Sequence, residues 1–401
     1  MPDNKLKLFQ INAVPYGSTA KIMLGISKVA EENGFESYMY SGYSSHPIKE
    51  FEGTNFIMGS KLSKAVHIAL GRLTGYIGCF SYFETKKLIK RLNEINPDII
   101  HLHIMHAWYI NLPLLFKYIK KKNIKTIWTF HDCWAFTGHC PYFDAVKCEK
   151  WKSRCSGCVQ YNKYPNSFFD RSKKMFDLKK KWFIGLKNLT IITPSSWLAG
   201  LVKESFLSNY PVKVINNGID LDVFKPTESD FREKYNLQDK FIILGVAFGW
   251  EKRKGIDVFV KLANKLKNSF QIILVGTDEN IDKSLPENII SIHRTQNQLE
   301  LAEIYTSAYI LLNPTREDNY PTVNMEALAC GTPVITFNTG GSPEIIDDSC
   351  GAVIGDDIDI LLKTIEKLYN EKYLKSENCL KRAKCFDMQK KFNEYIKIYN
   401  L

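Results

Sequence analysis

The run EDNYPTVNMEALACGTPVITFNTGGSPEII occupies residues 317–346 and indicates the class of fold. Pro321 stands where a helix would start, and Gly331 stands just past the point where that helix would end. The apolar, β-branched residues 333–337 (PVITF) then have the composition of a buried strand. A helix followed directly by a buried strand is the repeating unit of α/β proteins.

The same alternation extends in both directions from this run. Further strands are predicted at residues 6–13, 35–40, 98–103, 125–131, 189–194, 212–216, 241–246, 270–275, 289–293 and 308–313. Helices are predicted at residues 19–32, 255–267, 298–306, 322–330 and after 370. Strand–helix repetition of this kind predicts parallel sheets covered by helices on both faces. We therefore expect two doubly wound, Rossmann-like α/β domains that face each other across a cleft.

A turn-rich segment near residues 195–240 separates the two halves of the chain. We predict an N-terminal domain at 1–205 and a C-terminal domain at 206–375. Residues 376–401 are predicted as a C-terminal helix that crosses back and packs on the first domain. A cysteine-rich insertion is expected at about 133–165.

The charge of the chain is unevenly distributed. The 401 residues carry 54 Lys and Arg against 43 Asp and Glu, a net charge of +11. The excess gathers at residues 61–72, 117–125 and 173–181, and it indicates either an ordinary solvated lysine-rich surface or an attraction to phosphate groups or an anionic membrane surface. We expect no nucleic-acid partner. The N-terminus lacks an apolar run of signal-peptide length, so we expect a cytoplasmic protein, with the inner face of the cell membrane as an alternative location.

Three segments of the second half carry groups suited to bind a diphosphate, although a solvated basic turn, a surface ion pair and a tight turn are the alternatives. Residues 249–255 (GWEKRKG) place Arg253 and Lys254 between a strand and a helix. The helix that starts near Pro321 offers free N–H groups to an anion. Glu326 lies about one turn into that helix, where it is able to accept a hydrogen bond from a ribose hydroxyl. The glycine pair in residues 338–344 permits a ligand to approach the backbone closely.

Residues 317–346 strongly resemble the donor-site segment of glycosyltransferase family 4. That family carries two acids separated by seven residues, then a run of small residues and a GG-x-PE loop. Here Asp318 and Glu326 have that gap, whereas Glu317 is one residue further away. The sequence leaves open which of the two acids contacts the sugar. The run VINNGIDLDVFKP (214–226) is similar to the interdomain segment of the same family, and the resemblance spans essentially the whole chain.

The resemblance implies a GT-B fold, a nucleotide-diphosphate sugar as donor, and transfer with retention of anomeric configuration. Lys254 looks like the diphosphate-binding lysine, and Gly17 looks like the glycine of the loop that approaches the donor phosphates. His131 resembles the residue near the transferred sugar, where it would donate a hydrogen bond to a hydroxyl or stabilise developing charge. The predicted catalytic residues are His131, Glu317 and Asp318. The predicted donor-binding residues are Gly17, Arg253, Lys254, Asn319, Tyr320, Pro321, Thr322 and Glu326.

The expected acceptor is a saccharide, in particular a lipid-linked oligosaccharide of capsule, exopolysaccharide or O-antigen synthesis. Catalysis should require no cofactor. Four thiols, Cys140, Cys148, Cys155 and Cys158, include one C-x2-C pair and would suit a structural zinc ion. Cys133 and His139 are alternative ligands, and packing as reduced apolar groups or a redox role are alternatives to metal binding.

Other functions remain open from the sequence alone. A sugar-nucleotide epimerase of the same fold would form product without an acceptor, and a non-catalytic module would bind nucleotide or saccharide without turnover. The D-x-D runs at 220–222 and 357–359 would suit a metal-dependent transferase of the other common fold, but they lie in predicted loops.

Overall fold

A computed structural model describes residues 5–45 and 49–401. Residues 1–4, the start of the first predicted domain, lie outside the described part. The chain forms two compact units. The first comprises Met1–Asn216, as far as it is described, together with Lys391–Leu401, and the second comprises Asn217–Lys390. The predicted domain ranges stay predictions beside these unit boundaries.

The first unit contains a parallel seven-stranded sheet in the order β3-β2-β1-β4-β5-β6-β7. Its strands are β1 (Lys7–Asn12), β2 (Glu36–Ser41), β3 (Asn55–Met58), β4 (Ile99–Leu102), β5 (Lys125–Thr129), β6 (Leu189–Thr193) and β7 (Val212–Val214). Most central-strand residues are buried because helices cover both faces, as the near-continuous apolar runs predict.

The second unit contains a parallel six-stranded sheet in the order β10-β9-β8-β11-β12-β13. Its strands are β8 (Phe241–Val246), β9 (Phe270–Val275), β10 (Ile289–Ile292), β11 (Ile310–Asn313), β12 (Val334–Phe337) and β13 (Gly351–Ile354). The two sheets with their helices are the doubly wound α/β fold expected from the sequence.

The helices of the described residues connect these strands. They are α1 (Gly17–Glu32), α2 (Lys61–Thr74), α3 (Tyr82–Ile95), α4 (Leu112–Lys122), α5 (Ser172–Phe183), α6 (Ser196–Glu204), α7 (Phe231–Lys234), α8 (Ile256–Ala263), α9 (Glu279–Asp282), α10 (Gln298–Ser307), α11 (Thr322–Ala329), α12 (Ile358–Glu371), α13 (Ser376–Ala383) and α14 (Met388–Tyr399). No helix of the described residues has the length and apolar character needed to cross a bilayer.

The C-terminal helix packs on the first sheet, as predicted. Tyr399 on α14 contacts His101 through its hydroxyl at 2.6 Å, and Lys125 donates to the Tyr399 carbonyl at 2.9 Å. Thr129 at the end of β5 donates to the hydroxyl of Tyr395 at 3.3 Å. Two details differ from the sequence prediction. The strand at 212–214 completes the first sheet, and the helical segment predicted after 370 is divided into α13 and α14, since α12 ends at Glu371.

Strand order fixes where each unit can hold a ligand. In the first sheet β1 lies between β2 and β4, and in the second β8 lies between β9 and β11. The connections that follow β1 and β4, and those that follow β8 and β11, leave the sheet in opposite directions. This opens a crevice between the two strands of each pair, at their carboxyl ends. The loops after β1, β4, β8 and β11 are therefore the places to look for a site.

Candidate functional site

The basic loop after β8 is held close to the loop after β11. Lys252–Lys254 form one 3-10 turn that ends at Gly255, which has a φ of 82°. A Cβ at Gly255 would lie 2.5 Å from the carbonyl oxygen of Pro314, so only glycine permits this approach. The turn leads directly into α8, and its cations gather at the crevice between β8 and β11.

Lys254 and Asp318 form an ion pair across the two loops. The Nζ of Lys254 lies 2.5 Å from Oδ2 of Asp318, and both side chains are largely buried. Oδ1 of the same carboxylate accepts the N–H of Asn319 at 2.9 Å. The predicted diphosphate-binding cation and one of the two candidate acids are therefore in direct contact, and Asp318 fixes the position of the ammonium group.

Arg253 holds the backbone next to Asp318. Its guanidinium pairs with Glu251 and donates from Nη1 to the carbonyl oxygen of Glu317 at 3.1 Å. Glu317 is a buried residue on the same loop. Both predicted cations thus bind the acidic segment, Lys254 through the Asp318 side chain and Arg253 through the backbone.

Arg316 braces the basic turn, and the sequence reasoning missed it. Its guanidinium contacts Asp257 at 2.7 and 3.0 Å and Asp356 at 2.6 and 3.2 Å, and Nη1 also donates to the Lys252 carbonyl at 2.7 Å. These hydrogen bonds, first to Asp257 and then to Asp356, raise the pKa of Arg316. The position of Arg316 directly before the two predicted acids was the signal available in the sequence.

The helix that follows the acids begins as predicted. Pro321 caps α11, Thr322 is its first residue, and no acidic residue occupies its first turn. The positive end of the helix dipole therefore faces the loop without a carboxylate of its own. Glu326 is partly buried and accepts a hydrogen bond from the hydroxyl of Tyr305 at 3.0 Å. The ring of Tyr320 is buried against Phe386, so that side chain belongs to the core.

The glycine pair after β12 holds the acidic loop in place. Gly340 has a φ of 56°, and a Cβ there would lie 1.8 Å from the carbonyl oxygen of Asp318. The N–H of Gly341 donates to the carbonyl of Asn319 at 2.8 Å. The close approach predicted for this pair is therefore made to the protein's own acidic loop.

Trp250 occupies the position after Gly249 and has a packing role. Its ring is buried against Phe259, and its indole N–H donates to the Val275 carbonyl at 3.0 Å. Trp250 thus anchors the start of the basic loop to the end of β9 and supplies no charge.

The glycine loop of the first unit lies after β1. Gly17 begins α1 with a φ of 75°, and the space around its Cα is open. Asn12 at the end of β1 donates to the Val14 carbonyl at 3.1 Å and to the Thr19 hydroxyl at 3.3 Å, which fixes the loop. An anion near Gly17 would meet the free N–H groups at the start of α1.

His131 lies two residues beyond β5 and belongs to a group of three histidines. Its Nε2 is 3.2 Å from Nδ1 of His103, which follows β4, and the ring of His103 lies 4.1 Å from that of His101 at a tilt of 33°. Burial lowers the pKa of His131 to about 4, with Asp132 opposing and His106 adding to that shift. His131 is therefore neutral near pH 7.

Asp132 is a further, largely buried acid beside His131 that the sequence reasoning did not select. Its carboxylate contacts Nε2 of His106 at 2.8 Å and accepts the N–H of Trp134 at 2.8 Å. Burial alone would raise the pKa of Asp132, but His106 and the Trp134 N–H lower it below its usual range. The contact between Asp132 and His106 holds the loop that follows His131.

The cysteine-rich segment packs around a buried lysine. Lys179 donates to the carbonyls of Trp134 and Thr137 at 2.5 and 2.8 Å, and burial lowers its pKa to about 7. A hydrogen bond joins the thiols of Cys140 and Cys158, lowering the pKa of Cys158 to about 7.

The predicted zinc site lacks a preformed ligand geometry. Within residues 5–45 and 49–401, no three His, Cys, Asp or Glu side chains are arranged to hold a metal ion. Zinc binding by Cys140, Cys148, Cys155 and Cys158 therefore stays a prediction, and metal analysis of the purified protein is its test.

Both D-x-D runs stabilise local backbone. Oδ1 of Asp357 accepts the N–H groups of Asp359 and Ile360 at the start of α12. Oδ1 of Asp220 accepts the N–H groups of Asp222 and Val223 in a turn. These backbone contacts account for the aspartates of both motifs. The motifs therefore give no support to a metal-dependent transferase.

Two family models match the chain and together cover most of it. Residues 26–223 match the model of glycosyltransferase family 4, and residues 239–371 match the model of group 1 glycosyl transferases. The protein is a glycosyltransferase with the GT-B fold, and it belongs to glycosyltransferase family 4.

Similar proteins agree with this assignment. The chain is 25% identical over 382 residues to WcaC of Escherichia coli K12, assigned as a colanic acid biosynthesis glycosyl transferase, with 90% of each chain covered. A glycosyltransferase of Rickettsia africae has a similar structure, with a TM-score of 0.70 and 19% identity over 99% of this chain and 98% of the other. Anabaena Alr3699/HepE, solved with UDP-glucose, gives a TM-score of 0.68 and 13% identity over 98% and 99%.

Proposed function

We propose that this enzyme transfers a sugar from a UDP- or GDP-linked donor to a saccharide acceptor with retention of anomeric configuration. The observation that carries the proposal is the Lys254–Asp318 ion pair beside the N-terminus of α11, at the switch point of the second sheet. This arrangement supplies fixed positive charge and free amide protons where a pyrophosphate group would leave. The UDP-glucose bound by the similar Anabaena protein supports a donor of this class.

In the proposed reaction the bond from the anomeric carbon to the diphosphate oxygen breaks, and a bond to the acceptor oxygen forms on the same face. The acceptor proton passes to the departing diphosphate, so no strong enzymic base is needed. Lys254 and the first N–H groups of α11 stabilise the charge that develops on the diphosphate. Glu326 accepts from the ribose, and His131 contacts the transferred sugar.

A panel of UDP- and GDP-sugars tests the donor. The protein is incubated with each compound, and both donor hydrolysis and protection against heat are measured. We expect one nucleotide class to protect and to be slowly hydrolysed. Conversion of a donor to an isomer without acceptor would instead indicate an epimerase, and tight binding without any turnover would indicate a binding module.

The proposed acceptor is a lipid-linked oligosaccharide of surface-polysaccharide synthesis, and the proposed location is the cytoplasmic face of the membrane. The assignment of WcaC to colanic acid synthesis supports the acceptor class. Access to a membrane acceptor would be helped by a surface that binds lipid, and we propose α2 of the first unit as that surface.

Helix α2 presents apolar side chains to solvent along one face. Leu62, Val66, Leu70 and Leu73 are all exposed, and Leu62 is 74% exposed. Their spacing of three or four residues places them in one row. The opposite face carries the buried residues of the helix, such as His67. This pattern of exposure is the reverse of that in an ordinary surface helix, whose outward face is polar.

Cations lie on the same helix as this row, and further aromatic side chains lie on a loop bound to its end. No Asp or Glu occurs between Glu52 and Glu84, whereas Lys61, Lys64 and Arg72 lie on α2 itself. The loop at 166–171 is bound to the end of α2, since Phe168 donates to the Arg72 carbonyl, and it exposes two phenylalanines. Apolar groups within a field of positive charge complement an anionic lipid surface.

Vesicle flotation tests this surface. We expect the protein to float with phosphatidylcholine vesicles that contain phosphatidylglycerol at low salt, and the double variant Leu62→Glu/Val66→Glu to lose most of that binding. The matched control is Leu299→Glu, an exposed leucine on α10. Absence of flotation by the wild type, or equal flotation by the double variant, would contradict the proposal. A dimer that the double variant dissociates, seen by light scattering, would show that a second copy covers the row.

A further inference from the structure

A chain of hydrogen bonds links Gln10 on β1 to His131 through His103. Oε1 of Gln10 lies 3.1 Å from Nε2 of His103, and Nδ1 of His103 lies 3.2 Å from Nε2 of His131. Gln10 and His103 are both buried. Distances alone leave the donor and acceptor roles of the imidazoles open, but the surroundings of Gln10 fix them.

The direction of the chain is set at Gln10. Its amide nitrogen donates to the main-chain carbonyl of Met23 on α1 at 2.9 Å. A carbonyl oxygen only accepts, so a flipped amide would place two oxygens against each other. Oε1 of Gln10 must therefore face His103, and Nε2 of His103 must carry a hydrogen to donate.

His103 is neutral, so it has one hydrogen only. Burial, and the neighbouring His101 and His131, hold its pKa well below 6.5. With the hydrogen on Nε2, its Nδ1 has a bare lone pair and accepts. The hydrogen in the contact to His131 then belongs to Nε2 of His131.

We propose that Gln10, acting through His103, holds His131 as the Nε2–H tautomer, so that Nδ1 of His131 accepts a hydrogen bond from a hydroxyl of the bound sugar. Nδ1 of His131 makes no hydrogen bond within the described residues, and the side chain is partly exposed. The carboxylate of Asp132 is engaged by His106 and Trp134. The sugar contact rests on the proposed function, whereas the tautomer does not, and it replaces the expectation that His131 donates to the sugar.

Nitrogen NMR of protein labelled with ¹⁵N-histidine tests the tautomer directly. The His131 signals are assigned by their loss in His131→Gln. We expect the shifts of a protonated Nε2 and a bare Nδ1 in the wild type near pH 7. In Gln10→Leu the constraint is removed, and we expect His131 to show a mixture of tautomers. A protonated Nδ1 in the wild type would overturn the proposal, and so would an unchanged His131 spectrum in Gln10→Leu.

Kinetics test the positioning role of Gln10. Gln10→Leu should lower kcat about tenfold, as expected for one misaligned hydrogen bond, while UDP affinity stays unchanged. The matched control is Gln271→Leu on β9, whose amide binds only backbone carbonyls. Loss of folding or of UDP affinity in Gln10→Leu would show a structural role instead. If the protein transferred no sugar yet showed the Nε2–H tautomer, the proposed function would fall and the tautomer assignment would stand.

Discussion

At the scale of single residues, Lys254 is the cation proposed to stabilise the leaving diphosphate. We expect Lys254→Ala to lower donor turnover on the order of a hundredfold, because one preorganised charge contact to the leaving group is lost. Glu326→Ala should cause a loss of the same order through the ribose contact. The matched control is Lys252→Ala, which removes a neighbouring cation of the same turn. Turnover is measured with the donor identified from the nucleotide-sugar panel, and near-normal rates in both variants would reject the site.

Local signals in the sequence select candidate residues but not their contacts. Lys254 and Glu326 were selected from a basic loop and a helix start, and Asp318 from the family resemblance, whereas the ion pair between Lys254 and Asp318 was not predicted. Arg316 and Gln10 were not selected, because nothing near them in the sequence indicates their distant partners. Arg316 contacts Asp257, and Gln10 contacts His103, in both cases through packing of distant loops and strands.

At the scale of elements, the glycine loop after β12 supports the acidic loop. We expect Gly340→Ala to displace the Asp318 carbonyl and lower UDP affinity. The matched control is Gly34→Ala, since Gly34 has a φ of 85° but nothing within 4 Å of a Cβ. Both variants bear the strain of a left-handed residue, about 1 kcal/mol, but only the first has a clash. Urea unfolding and UDP calorimetry separate the two effects, and wild-type UDP affinity in Gly340→Ala would disprove the support role.

The central strands and α11 could be predicted because long apolar runs and helix-end residues mark them locally. The strands β3 and β13 were missed. They are short edge strands with partly exposed residues, so they lack the continuous apolar signal. The strand at 212–214 was assigned to the wrong half, since a sequence shows that a strand exists but not which sheet it joins. Tertiary pairing with β6 decides that.

At the scale of the whole molecule, buried neutral histidines make stability depend on pH. Burial lowers the pKa of His67 and His101 to about 3, and that of His131 to about 4. The unfolded chain takes up protons at these groups as the pH falls below about 6.5, while the folded chain does not until about pH 4. The free energy of unfolding should therefore decrease as the pH falls through this window.

The urea midpoint between pH 7 and pH 4.5 measures this effect. Acids with lowered pKa values, such as Asp132, lose their contribution only at lower pH, so the window reports mainly on histidine. The contribution of His293 to the pH dependence of stability has the opposite sign, because its hydrogen bond to Asp282 raises its pKa. His293→Gln should therefore leave the downward trend in place. A midpoint that stays constant or rises on acidification would contradict the buried neutral state.

A crystal structure with UDP or GDP bound would locate the proposed donor site. We expect the diphosphate to lie beside residues 249–255 and 317–326, with Lys254 and the first N–H groups of α11 within hydrogen-bonding distance of its oxygens. A nucleotide bound anywhere else on the protein would contradict it.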